Sequence, residues 1–194
     1  MTDLPLFPLS SVLYPEGSLS LRIFETRYLD MIRDCARTDS GFGVCLILEG
    51  EEVGEPSIPA AVGTLARIVD FHTTDDGLLG IRAQGGERFQ VQHTRISENG
   101  LIHASVDWLA EDEKQVVPPE CALLATILER FHEQVGGEYA QVERDRYDDA
   151  AWVGYRLAEA LPLQPDERQL ILQLNDPIER LVQLMHYLPR FQTP

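Results

Sequence analysis

Between Leu109 and Glu120 the chain changes texture, and this change constrains the fold more than any other feature of the sequence. Up to about residue 110 it is rich in Gly, Pro and β-branched residues, and from about residue 118 it reads as helix. The join, LAEDEKQVVPPE, is charged and then doubly prolyl, the composition of a connection. A chain of 194 residues suits one domain, or one domain with a helical appendage, and can bury a core. We expect two subdomains, a β-rich one over residues 1–112 and a helical one over 113–194.

The first half carries strand and hairpin signals. The run Leu4 to Leu9 is extended, and its prolines confine it to an edge or an irregular strand end. Phe42 to Leu48 is a continuous apolar run of strand length. Val62 to Phe71 alternates, and Asp75-Asp76-Gly77 marks a hairpin before Leu78 to Ile81. Gly85-Gly86 predicts a bulge or bend before Phe89 to Gln92. Glu98-Asn99-Gly100 predicts another turn before the last strand, Leu101 to Leu109. One helix is inserted over Phe24 to Ala36, where Tyr28, Met31, Ile32 and Cys35 share an apolar face. Five or six strands joined by hairpins imply a small antiparallel barrel or half-open barrel.

The second half is punctuated as four helices forming a bundle. Pro118-Pro119 opens the first and Gly136-Gly137 ends it. Asp148 or Asp149 caps the second, which stops near Leu161-Pro162. Pro165 opens the third. Asp176-Pro177-Ile178-Glu179 predicts a capped start with a capping box for the fourth, which stops at Pro189.

Charge and rare residues exclude several chemistries. The 32 acids against 16 bases give a formal net charge of -16. Nucleic-acid binding draws most of its affinity from Lys and Arg on phosphates, so no nucleic-acid partner is expected. Anionic membrane surfaces are disfavoured likewise, and no run approaches the roughly 18 apolar residues of a membrane helix. The single lysine, Lys114, stands in EDEKQ. It fits neither a P-loop nor a Ser-Lys dyad nor a desolvated Schiff-base lysine. Cys35, Cys45 and Cys121 are odd in number and widely spaced. They read as reduced, partly buried thiols without zinc-site spacing. With no basic n-region at the start, the expected location is cytoplasmic.

No metal or other cofactor is expected. The five histidines show no ligand pair at helix or hairpin spacing, although His93 and His103 could face each other across the Asn99-Gly100 turn. No serine stands in a Gly-x-Ser-x-Gly elbow. The acidic stretch from Glu111 to Asp149, with 11 acids and 4 bases, reads as a solvated face. Its alternative is a face for a basic partner. The sharpest motif is Phe24-Glu25-Thr26-Arg27-Tyr28, at a strand-to-helix junction. Phe24, Glu25, Arg27 and Tyr28 are the candidate binding residues. The competing reading is structural: Glu25 and Arg27 pair with each other or with backbone, while Phe24 and Tyr28 anchor the helix.

LPLFPLSSVLYPEGSLSLRIFETRYLDMI, followed by FGVCLI, GTLARI, DGLLGIRAQGGERFQV and later LAEALPL and ERQLIL, resembles the N-terminal, substrate-binding domain of Lon proteases from Leu4 to about Leu188. The pairing of Ile-Phe-Glu-x-Arg-Tyr with Gly86-Glu87-Arg88-Phe89 is the specific part. Tyr14-Pro15-Glu16-Gly17 departs from the family's more usual Phe-Pro-Gly. The resemblance implies an α+β fold: a PUA-like antiparallel β-barrel, or pseudobarrel, with one inserted helix, followed by a C-terminal helical bundle. It also implies a non-catalytic module that recognises unfolded or exposed apolar polypeptide segments, or a protein partner. No ATPase or Ser-Lys protease signature accompanies it, so a stand-alone Lon N-terminal-like protein is expected. A groove where barrel meets bundle would be the natural site. The alternatives are a hydrolase-like enzyme with an unrecognised site and an RNA-binding PUA-like protein, the latter opposed by the charge.

Overall fold

The first strand already departs from a simple hairpin order. The computed structural model describes residues 2–191. β1 (Thr2–Leu9) pairs antiparallel with β6 (Ile102–Trp108) through Thr2 to Pro5, and parallel with β3 (Phe42–Glu49) through Leu6 to Leu9. Its two halves use different partners, which suits a strand whose Pro5 and Pro8 have no N–H to offer. The remaining strands are β2 (Ser18–Ile23), β4 (Ile58–Thr73) and β5 (Leu79–Ile96).

The sheet order is β2-β5-β4-β3-β1-β6, and β5 also pairs with β6. The pairings therefore return on themselves in a barrel-like ring of β1, β3, β4, β5 and β6. The expectation of a purely antiparallel barrel is corrected here: the sheet is mixed. A parallel pair needs a long crossover, and the chain from Ser10 to Gly41 supplies it with β2 and α1 (Thr26–Thr38). Hairpin turns announce only antiparallel neighbours, so this pairing has no local signature. β2 is a further strand beyond those that the hairpin and apolar-run signals predict.

β5 is one long strand, and Gly85-Gly86 lies in its bulge: Thr64 pairs with Arg88, whereas Ala66 pairs with Gly85. A side chain at Gly85 would sit 2.1 Å from the Tyr14 carbonyl oxygen. The Tyr14–Gly17 turn docks there, with the Glu16 N–H donating to Gly85 O at 2.8 Å and the Gly85 N–H donating to Gly17 O at 2.8 Å. Glu16 takes the left-handed conformation, φ 60°.

One core cluster packs Leu4, Leu6, Cys45, Leu65, Phe89 and Val106. Gly63 belongs beside it because an added Cβ would stand 2.5 Å from Cys45 Sγ and 2.6 Å from the Phe89 ring. The second cluster lies under α1, where Tyr28, Met31, Ile32 and Cys35 pack with Phe7, Ile23, Phe42 and Ile81. Fully burying each large apolar side chain contributes about 1.5–3 kcal/mol, so this one helix face stabilises the unit substantially.

The chain divides into two compact units, residues 1–111 and 112–194. The second contains α2 (Ala122–Val135), α3 (Ala150–Ala160), α4 (Pro165–Gln173) and α5 (Pro177–Tyr187), with short 3-10 turns between them. Asp149 caps α3, its Oδ1 accepting from the N–H groups of Ala151 at 3.0 Å and Trp152 at 3.3 Å. Asp176 Oδ1 accepts from Ile178 N–H at 2.8 Å. The reciprocal capping box forms at α4, where Gln164 N–H donates to Glu167 at 2.9 Å, and not at Glu179 as the sequence predicted.

The polar centre of this unit is Arg180 on α5, whose side chain is 0% exposed. Its guanidinium donates to Asp112 Oδ2 (2.9 Å), Tyr155 Oη (2.7 Å), Leu174 O (2.8 Å) and Ile171 O (3.3 Å). One residue thus ties α3, the end of α4 and the start of the unit to α5. Asp112 lies at the start of the acidic stretch, yet its side chain is a buried partner, so that stretch is not uniformly a solvated face. Among the described residues no helix is long and apolar enough to cross a membrane.

Candidate functional site

The four residues singled out in Phe24-Glu25-Thr26-Arg27-Tyr28 have separate fates. Glu25 is the N-cap of α1, in extended conformation, and its carbonyl accepts from the N–H groups of Tyr28 and Leu29 at 3.0 Å. Its carboxylate pairs with Arg27 at 2.9 Å. Arg27 is buried, donates from Nη1 to Gly100 O at 3.2 Å and lies over the Tyr28 ring at 4.9 Å. Tyr28 stacks on Phe7 with ring centroids 4.0 Å apart, and burial pushes its hydroxyl pKa up. Phe24 alone is open to solvent, 45% exposed, with Arg22 5.8 Å from its ring centroid. Glu25, Arg27 and Tyr28 therefore clamp the start of α1 to β1 and to the β5–β6 turn.

That clamp borders a groove. α1 forms one wall, the turn Ser97–Leu101 faces it, and Pro5 and His103, cross-strand partners on β1 and β6, continue the lining. The open volume is about 560 Å³. Met31, Cys35 and Leu101 form an apolar floor, each no more than 7% exposed. Asp30 and Asp34 of α1, with Glu98 of the turn, stand along the lining. Residues 30, 31, 34 and 35 follow from helical periodicity: positions four apart stack on one face, so an acidic pair runs beside an apolar pair.

The turn is closed by hydrogen bonds of its own. Ser97 N–H donates to Leu101 O at 2.9 Å, Gly100 N–H to Ser97 O at 2.8 Å, and Leu101 N–H to Asn99 Oδ1 at 3.1 Å. Gly100 has φ 83°, a conformation that glycine adopts without a Cβ penalty. Arg27 then ties this turn to the helix beside the groove, through a bond from the predicted motif. The motif was visible in the sequence, whereas the groove beside it was not singled out. The signal that could have found it is the Asp30/Asp34 stripe flanking Met31/Cys35, opposite a turn already marked by Asn99-Gly100.

The chemistry offered here is binding chemistry. Burial pushes the Cys35 thiol pKa up, and the adjacent Asp34 adds to this, which keeps the thiol protonated and a poor nucleophile. Cys45 is pushed up to about 12 by burial. All three cysteines are free and buried. His93 lies opposite Ser105 and His103 opposite Arg95, so the two imidazoles do not face each other as the sequence allowed. His103 Nδ1 instead stands 3.4 Å from Asp3 Oδ2. Among the described residues no three His, Cys, Asp or Glu side chains gather as metal ligands would. Asp75-Asp76-Gly77 is a turn: Asp76 accepts from Thr74 Oγ1 and pairs with Arg22 at 2.8 Å.

Comparison with known proteins adds a frame to this geometry. Residues 3–190 match the family model described as the ATP-dependent protease La (LON) substrate-binding domain. A crystal structure of a Lon N-terminal domain protein from Xanthomonas campestris is 48% identical, with a TM-score of 0.82 over 96% of this chain and 99% of that one. A LON peptidase N-terminal domain and RING finger protein of Schizosaccharomyces pombe is 26% identical over 97% of this chain and 45% of its own length. A Lon protease of Cytophaga hutchinsonii is 24% identical over 94% of this chain and 24% of its own length. The chain thus spans less than half of these curated relatives.

Proposed function

The chain belongs to the LON substrate-binding domain family, and from that premise we propose that it is a non-catalytic module that binds unfolded or exposed apolar segments of polypeptide. The observation that carries the reading is the open groove between α1 and the Ser97–Leu101 turn, with its floor of Met31, Cys35 and Leu101. A concave, mostly apolar lining with a few convergent polar groups is what ligand sites share. In this reading Glu25, Arg27 and Tyr28 hold the groove's walls together, and exposed Phe24 offers a further apolar contact.

The module acts by holding a segment, not by cleaving one. Lys114 supports this: it is exposed beside Glu113 and is no part of the groove lining. The net charge of -16 argues against an RNA partner and against anionic membranes, and the free thiols fit a cytoplasmic setting. The PUA-like description of the barrel belongs to the same reading, since a closed ring of strands with one inserted helix agrees with it.

Titrating a labelled, carboxymethylated unfolded protein and a labelled RNA separates the readings. Saturable binding of the unfolded protein that persists as salt rises is expected, because screening acts mainly on exposed charges. Micromolar RNA binding at moderate salt, with no binding of the unfolded protein, would overturn the proposal.

A further inference from the structure

The groove's lining carries a charge preference that its apolar floor alone does not explain. Asp30 and Asp34 stand one helical turn apart on α1, and Glu98 stands on the facing turn. The lining contains no Lys or Arg. Its remaining polar members are Ser97 and Asn99 on the turn, Thr38 and Ser40 at the end of α1, and His103 on β6, whose Nδ1 stands 3.4 Å from a further acid, Asp3. The unit that holds the groove carries 17 acidic and 8 basic side chains over residues 1–111. Three acids beside an apolar floor, in a field of the same sign, select a cation next to an apolar group.

We propose that this groove takes a polypeptide segment in which an apolar anchor residue is flanked by Lys or Arg. The inference rests on the binding-module reading and names its substrate class. The anchor side chain covers Met31, Cys35 and Leu101, while flanking ammonium or guanidinium groups meet Asp30 and Asp34 on one wall and Glu98 on the other. The carboxylates of Asp30 and Asp34 already pair with Arg33 (2.8 Å) and Arg37 (3.0 Å) on their own helix. Both arginines are more than 70% exposed, and such surface pairs contribute almost nothing net, so an incoming cation exchanges with them at little cost. An acidic segment meets like charge on both walls and is rejected. The negative unit also speeds encounter with cationic segments.

The test is fluorescence anisotropy with four labelled dodecapeptides on the full chain. Three share a Leu-Phe-Leu centre flanked by Arg and Lys, by Glu, or by Ser, and the fourth has basic flanks around a Ser centre. The Asp34→Arg/Glu98→Arg double variant changes two exposed positions, and circular dichroism verifies its fold. At low salt the basic-flanked apolar peptide is expected to bind at least tenfold tighter than the Glu-flanked one. The advantage shrinks at moderate salt, and the double variant loses it. Affinities for basic and acidic flanks within threefold of each other would overturn the inference. So would equal binding of the basic peptide with a Ser centre, or an unchanged preference in the double variant. If the carboxymethylated unfolded protein still binds while the peptides show no charge preference, the binding reading stands and the inference falls. If the unfolded protein does not bind either, both fall.

Discussion

Replacing Arg180 by methionine tests how the helical unit is held. The arginine is fully buried and its partner Asp112 is 8% exposed. Methionine fills much of the volume but leaves the Asp112 carboxylate buried without the guanidinium, and breaking a buried pair from one side costs about 3–5 kcal/mol. It also removes the donor to Leu174 O at 2.8 Å and the cation 3.8 Å from the Tyr155 ring centroid. These losses overlap with the first and are not summed. For a chain of this size the figure corresponds to roughly 6–20 °C in melting temperature. Urea unfolding followed by Trp152 fluorescence, in a Trp108→Phe background, reports on this unit. The midpoint is expected to fall while the slope is unchanged. Arg180→Met/Asp112→Leu should recover more than half of the loss, because the buried carboxylate is removed together with its guanidinium. A single-variant loss under about 1 kcal/mol, or a double variant no better than the single, would refute the reasoning.

Gly154→Ala, which usually stabilises a helix interior by about 1 kcal/mol, should destabilise here, because the new Cβ would stand 2.9 Å from Arg180 Cδ; a raised melting temperature would contradict this. Burial pushes Glu159 up to about 7 despite Arg156 at 2.9 Å, so its contribution to stability is complete below about pH 4.5 and is lost as pH rises through 7. Glu159→Gln should therefore gain stability relative to wild type between pH 5 and pH 8, and a constant difference across that range would count against it. Arg27→Ala removes the bond to Gly100 O and should cost about 2 kcal/mol in urea unfolding and weaken peptide binding several-fold. The three thiols should react with a thiol reagent only on unfolding, since burial raises the pKa of each; fast labelling of the native protein would show otherwise.

What could be read in the sequence was local. The turns at Gly77 and Gly100, the caps at Asp149 and Asp176, and the Gly85-Gly86 bulge all follow from residue types that impose their own geometry. β2 carries a local mark too, since Leu19, Leu21 and Ile23 alternate with Ser18, Ser20 and Arg22. The parallel β1–β3 pairing was not legible, because it joins segments more than 30 residues apart and leaves no mark on either. The buried Arg180–Asp112 pair was hidden for a related reason. Asp112 sits in a run of acids that composition alone reads as solvated, and only the tertiary fold supplies its partner 68 residues later. The groove shares this limit, since its two walls come from segments far apart in the chain, joined by the bond between Arg27 and Gly100, 73 residues apart.

The claim that this chain binds polypeptide through the α1–turn groove is tested most directly by amide chemical-shift mapping of the labelled protein during titration with a carboxymethylated unfolded protein. The account expects saturable shifts concentrated in residues 30–40 and 97–103, with Leu101 and Asp34 among the largest, and smaller effects at Phe24. Shifts confined to residues 112–191, or none at saturating ligand, would contradict it.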